Sequence, residues 1–226
     1  NEFSEWPVSL YKLACGTAIR RLQKHGYNIC TAAPDLEKNN TELPPWRVDG
    51  VIVIQDSSKE TIDEMERIRL PYVVINGIGG PNGSSVRPDD RRAAECAMQH
   101  LLTLGHQRIA YAGPSLEHRP HYSIQDRHEI YLSELNARSL EPVKGHEKPF
   151  TSGLDFLVHA VLKQQATAIV AYDCMIAMKI LHDANRLNVE IPGRVSLICF
   201  NNEPLCDWVV PPLTTMEIPE AEMGQV

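Results

Sequence analysis

A chain of 226 residues, 43% of them hydrophobic, is long enough to bury a substantial core as one large or two small domains. It holds no apolar run of the roughly 18 residues that a membrane-spanning helix needs. The net charge of −7, with Lys and Arg scattered along the chain, supplies no basic patch for nucleic acid. The six cysteines have neither CxxC nor zinc-type spacing, and their apolar neighbours predict reduced core thiols in a cytoplasmic protein.

The opening NEFSEWPVSL has neither an initiator Met nor a signal-like pattern and reads as part of a longer chain. Residues 8–25 carry Leu10, Leu13, Ala14, Ala18 and Leu22 at helical spacing, and Gly26 stops that helix. YNICTAA (27–33) reads as a strand, and VDGVIVIQ (48–55) as a buried strand of the parallel type. Residues 58–69 are helical in pattern and PYVVING (71–77) is a further strand. The Gly-rich GIGGPNGSS (77–85) is a surface loop leading to a short extended piece. Asp89 or Asp90 starts the helix DDRRAAECAMQHLLTL (89–104), and QRIAYAG (107–113) is the next strand. The alternation continues with helices near 123–137 and 152–164, a strand at 167–172, a helix at 173–186 and a strand at 194–200.

Strands alternating with helices of this length predict an α/β protein of two similar lobes, each a parallel sheet flanked by helices, with a ligand cleft between them. The expected boundaries are 1–112 for the N-terminal lobe and 113–212 for the C-terminal lobe, with 213–226 crossing back to the first.

Several motifs stand in order: VDGVIV (48–53), HLLTLGHQRIAYAGP (100–114), Ser123-x-x-x-Arg127, TAIVAYD (167–173), IPGRVSLICFNN (191–202) and PPLTT (211–215). Together they resemble the effector-binding core of the LacI/GalR family of bacterial transcription regulators, and the resemblance runs from near residue 8 to the end of the chain. It implies a type I periplasmic-binding-protein-like fold that lacks here the first strand of its first lobe. It also implies a homodimer that binds a sugar or related metabolite between the lobes. Operator DNA would be bound through an N-terminal helix-turn-helix that these residues do not include. The competing implication is a periplasmic or extracellular sugar-binding protein of a transport system, which shares the fold. No enzyme, cofactor or metal is expected, since GxSxG, the P-loop and a strand-borne GxGxxG are all missing.

Arg127 and Ser123 lie one helical turn apart on one face, and a guanidinium presents its donors in a rigid fork suited to hydroxyls or a carboxylate. The family resemblance makes both effector contacts. Asp173 suits a helix N-cap by local chemistry. Tyr172 stands where related repressors usually carry Asn, and Asn201 where they usually carry an Asp that binds sugar hydroxyls. Asp89 is the candidate from the first lobe, although capping is its simpler role. Trp6 and Phe150 could supply an aromatic wall. His106 is expected to pack rather than to bind. His118, His121 and His128 are not expected to share a metal, because Pro120 interrupts any common helical face.

Overall fold

The computed structural model describes residues 12–31, 47–55, 59–117, 121–201 and 204–226. The chain forms two compact units: one holds the residues up to Pro88 together with Pro219–Val226, and the other is Asp89–Ile218.

In the first unit a parallel three-stranded sheet has the order β1 (Val51–Ile54), β2 (Tyr72–Ile75), β3 (Ser84–Val86). Helix α2 (Lys59–Arg67) lays Ile62 and Met65 over Tyr72 and Val74 to make a small core. Helix α1 (Lys12–Lys24) packs on the short α8 (Glu220–Met223), where a Cβ on Gly224 would lie 2.2 Å from the Ala14 carbonyl. The Gly-rich loop before β3 closes on a tyrosine. The Gly80 N–H donates to the Tyr72 hydroxyl at 2.8 Å, which itself donates to Glu66 at 2.7 Å. A Cβ on Gly83 would sit 2.1 Å from the Tyr72 ring, so only glycine lets the backbone pass. The strand expected at 27–33 is irregular over 27–31, and its last two residues lie outside the described ones.

The second unit is a parallel four-stranded sheet in the order β4 (Ile109–Ala112), β5 (Ala168–Ala171), β6 (Ser196–Phe200), β7 (Thr214–Met216). Every residue of β4 and β5 is buried, as expected of strands covered on both faces. The period of two sorts their side chains. Ala110, Ala112, Ile169, Ala171, Leu197 and Cys199 meet α6 (Cys174–Leu187) and the π-helical Leu157–Lys163, which continues α5 (Gly153–Phe156). Ile109, Tyr111, Ala168, Val170, Ile198 and Phe200 meet α3 (Asp90–Thr103) and α4 (Tyr122–Asn136). At the amino ends of the strands, His106 is hydrogen-bonded to Thr167 Oγ1 (3.0 Å) and Ser196 Oγ (3.1 Å), a packing role.

Two expected boundaries move. α3 and β4 belong to the second unit because β4 pairs with β5, so the division falls before Asp89 and not at 112/113. PPLTT does not cross back: Thr214–Met216 pairs with β6 as the edge strand β7, and the chain returns to the first unit only at Pro219. A helix α7 (Leu205–Trp208) precedes this edge strand.

Candidate functional site

In open α/β sheets ligands bind beyond the carboxyl ends of the strands. In the second unit these ends are knitted together by backbone bonds. Tyr172, just after β5, donates its N–H to Ala112 O (2.8 Å), and Phe150 donates to Gly113 O (2.7 Å). Asn201, just after β6, donates to Met216 O of β7 (3.1 Å) and has a left-handed φ of 66°, a conformation asparagine adopts more readily than most residues.

Into this region α4 sends Arg127, only 3% exposed. Its Nε and Nη2 both donate to Oδ1 of Asp90, at 2.7 and 2.6 Å. Nη1 donates to the Tyr172 carbonyl (2.6 Å), and Nη2 also to Asn201 Oδ1 (3.3 Å). The flat guanidinium lies 4.7 Å from the Tyr172 ring centroid and 4.4 Å from that of Phe200, where cation–π attraction adds to the ion pair. A buried charge is tolerable only when paired and hydrogen-bonded, and Arg127 meets both conditions. One cation thus ties the starts of α3 and α4 to the ends of β5 and β6.

Asp90 is also buried, and the positive end of α3 favours its charge. Because Arg127 takes a single oxygen, Asp90 Oδ2 is left with no hydrogen-bond partner. The Tyr111 hydroxyl is a second sealed atom without a partner; its ring lies 5.2 Å from His128 and 5.3 Å from Tyr131. Burial pushes the Tyr111 phenol far up, so it stays protonated. Ser123 is buried, with its Oγ 2.8 Å from the Tyr172 hydroxyl and 2.7 Å from Nδ1 of His121, the residue that caps α4. Burial raises the Tyr172 phenol as well.

The structure therefore brings together Arg127, Asn201, Tyr172 and Ser123. Asp173 adjoins them and caps α6 through its bond from the Ile176 N–H (2.7 Å). Asp89 is not part of the constellation: it is exposed, and its carboxylate folds back to cap α3 on the Arg92 N–H (2.9 Å). The carboxylate that faces Arg127 is Asp90, one residue on. Phe150 packs against Phe156 (centroids 5.9 Å apart) beside the core on the α6 face. Trp6 and His118 lie outside the described residues. His128 pairs with His146 (2.9 Å) behind the site. Among the described residues, no group of three or more His, Cys, Asp or Glu could hold a metal ion.

Sequence reasoning missed Asp90, Tyr111 and Phe200. The Asp-Asp pair at the start of α3 signalled an acid, but not which of the two turns inward. Tyr111 and Phe200 look like ordinary strand residues, and only the side of the sheet they occupy reveals them.

Residues 98–226 match the periplasmic binding protein-like domain family. The HTH-type transcriptional regulator MalR of Streptomyces coelicolor is 30% identical over 224 residues, covering 90% of this chain and 64% of that protein. The regulator reg1 of Streptomyces lividans is 28% identical with the same coverage. The chain thus spans less than two thirds of the length of these two relatives, 64% of each. Among solved structures, a LacI family transcriptional regulator from Enterococcus faecium with bound ribose is 26% identical at a TM-score of 0.75, covering 96% of this chain and 84% of that one. The chain belongs to the periplasmic binding protein-like domain family, in the form found in LacI-family transcriptional regulators.

Proposed function

We propose that this chain is the effector-sensing and dimerising core of a bacterial LacI-type transcriptional regulator, working in the cytoplasm. A small polyhydroxylated metabolite binds at the carboxyl ends of β4, β5 and β6 of the second unit. Asn201 is its principal polar contact and Arg127 positions it, with Tyr172, Ser123 and Asp173 beside them. The observation that carries this reading is the buried Arg127–Asp90 pair with Asn201 and Tyr172 around it, a polar cluster at the strand ends where ligand sites form. The Enterococcus faecium relative, with ribose bound, supports a sugar-like effector.

A ligand with different affinities for two lobe arrangements shifts the population between them. DNA-binding heads on a dimer must match the spacing of their half-sites, so operator affinity follows effector occupancy. The acidic chain leaves DNA contact to a helix-turn-helix domain elsewhere in the full-length protein. An exposed apolar run supports self-association: within residues 205–210, Leu205 is 42%, Trp208 75% and Val210 95% exposed.

The test is operator binding by the full-length protein, followed by fluorescence anisotropy, with each compound that raises the protein's melting temperature. Operator affinity should change severalfold with at least one such compound. Affinity unmoved by every binder would refute the regulatory reading. Sedimentation of the same protein should give a dimer that Trp208→Glu weakens.

A further inference from the structure

The internal bonds of the site determine which hydrogen-bonding atoms remain for a ligand. Arg127 has only donors, so the Asn201 carboxamide must turn its oxygen to the guanidinium, as the 3.3 Å bond from Nη2 to Oδ1 records. The nitrogen, with both its hydrogens, then points away from Arg127. The Asn201 backbone is anchored beside Arg127 by the bond to Met216 O, with a left-handed φ. Asn201 is also partly exposed, whereas Arg127 and Asp90 are sealed at 3% and 4%.

Several described groups around it already have partners. The Tyr172 hydroxyl bonds to Ser123, Asp173 Oδ1 caps α6, and the spare oxygen of Asp90 is out of reach of solvent. Among the described residues, the partly exposed side chain bonded to Arg127 is Asn201, and what it offers a ligand is a donor. A hydroxyl could accept from Asn201, but it would bring a proton of its own that needs an acceptor. Burying that proton unpaired costs affinity. An Asp at this position would satisfy the same guanidinium with one oxygen and offer the ligand the other, an acceptor.

We propose that the effector meets Asn201 with an acceptor-only oxygen, a carbonyl or carboxylate, so that the site prefers an oxidised sugar to the parent aldose. This rests on the effector-binding reading above and assigns the chemistry of one point in that site.

The experiment measures the melting temperature of the full-length protein and of Asn201→Asp against D-ribose, D-glucose and D-galactose, each beside its aldonate and its 1,4-lactone. Ligand binding to the native state raises the melting temperature. For the wild type the oxidised form should give the larger shift. Asn201→Asp, which keeps the bond from Arg127, should reverse the order. The ratio of apparent Kd values should change by about tenfold or more, the factor carried by one mismatched hydrogen bond. A response to lactones alone assigns a neutral carbonyl, and a response to aldonates alone assigns a carboxylate; either supports the proposal. Wild-type shifts as large with aldoses as with oxidised sugars, or an order unchanged in Asn201→Asp, would overturn it and leave effector binding standing. No shift from any compound in either protein would overturn both.

Discussion

Tyr111 and Tyr131 make a matched pair, because their rings touch and their hydroxyls meet opposite fates. The centroids are 5.3 Å apart, and neither residue is more than 3% exposed. The Tyr131 hydroxyl donates to the Ile109 carbonyl at 2.9 Å, while that of Tyr111 has no partner. Replacing each by Phe keeps the ring and its packing and removes one oxygen. A net hydrogen bond contributes about 1 kcal/mol, and a buried polar group left unpaired costs about 1–3 kcal/mol. Tyr131→Phe should therefore destabilise by about 1–3 kcal/mol, since it also leaves a buried carbonyl short of a donor. Tyr111→Phe should stabilise by about 1 kcal/mol or more, because the oxygen it removes was desolvated without compensation. In a chain of this size each kcal/mol moves the melting temperature by about 2–4 °C. The two variants should thus melt on opposite sides of the wild type. Urea unfolding followed by circular dichroism, with thermal melts beside it, would measure both. Equal losses in the two variants would mean that the Tyr111 hydroxyl is satisfied, and the reasoning would fail.

Arg127→Met should destabilise by about 3–5 kcal/mol, because it strands the Asp90 carboxylate in the interior, and adding Asp90→Asn should recover part of that loss; chemical denaturation reads both. Arg127→Ala should also abolish the melting shift given by any effector, and an undiminished shift would remove it from the site. His128 and His106 both have pKa values lowered by burial, and His128 faces His146, Glu147, Glu129, Tyr111 and Tyr131. A lowered folded-state pKa means that the unfolded chain binds more protons below the ordinary histidine value of about 6.5. With respect to these residues, stability should hold above that pH and fall as the pH drops through and below it, and His128→Phe should flatten the slope of melting temperature against pH. Gly83→Ala should cost the first unit about 1–3 kcal/mol through its clash with Tyr72, whereas Gly79→Ala, whose Cβ would stand 3.3 Å from Ser85 Oγ, should cost much less.

The period-two and period-3.6 patterns made most elements legible, because burial on one face or both writes itself into residue order. The helix expected at 8–25 is seen from Lys12 to Lys24, and the strand expected within 167–172 runs from Ala168 to Ala171. Sheet membership was harder to read. Nothing local in QRIAYAG says which sheet it joins, so residue order alone leaves β4 before the expected 112/113 boundary although it pairs with β5, and Pro-Pro hides the edge strand that follows it. At the site, side chains that announce themselves by type, such as Arg127 and Asn201, were legible. Asp89 and Asp90 were not separable, because capping geometry alone decides which of two adjacent carboxylates turns outward. The orphan status of Tyr111 has no sequence signal, since it depends on what is missing around one atom in three dimensions.

The bond from the Asn201 N–H to Met216 O has a mechanical consequence. Asn201 holds Arg127 through its side chain and the edge strand through its backbone, and two residues beyond Met216 the chain leaves this unit. One residue thus joins the buried guanidinium to the strand from which the chain leaves the unit. Because Met216 is also laddered to Phe200, a displacement of Asn201 is shared with the edge of the sheet.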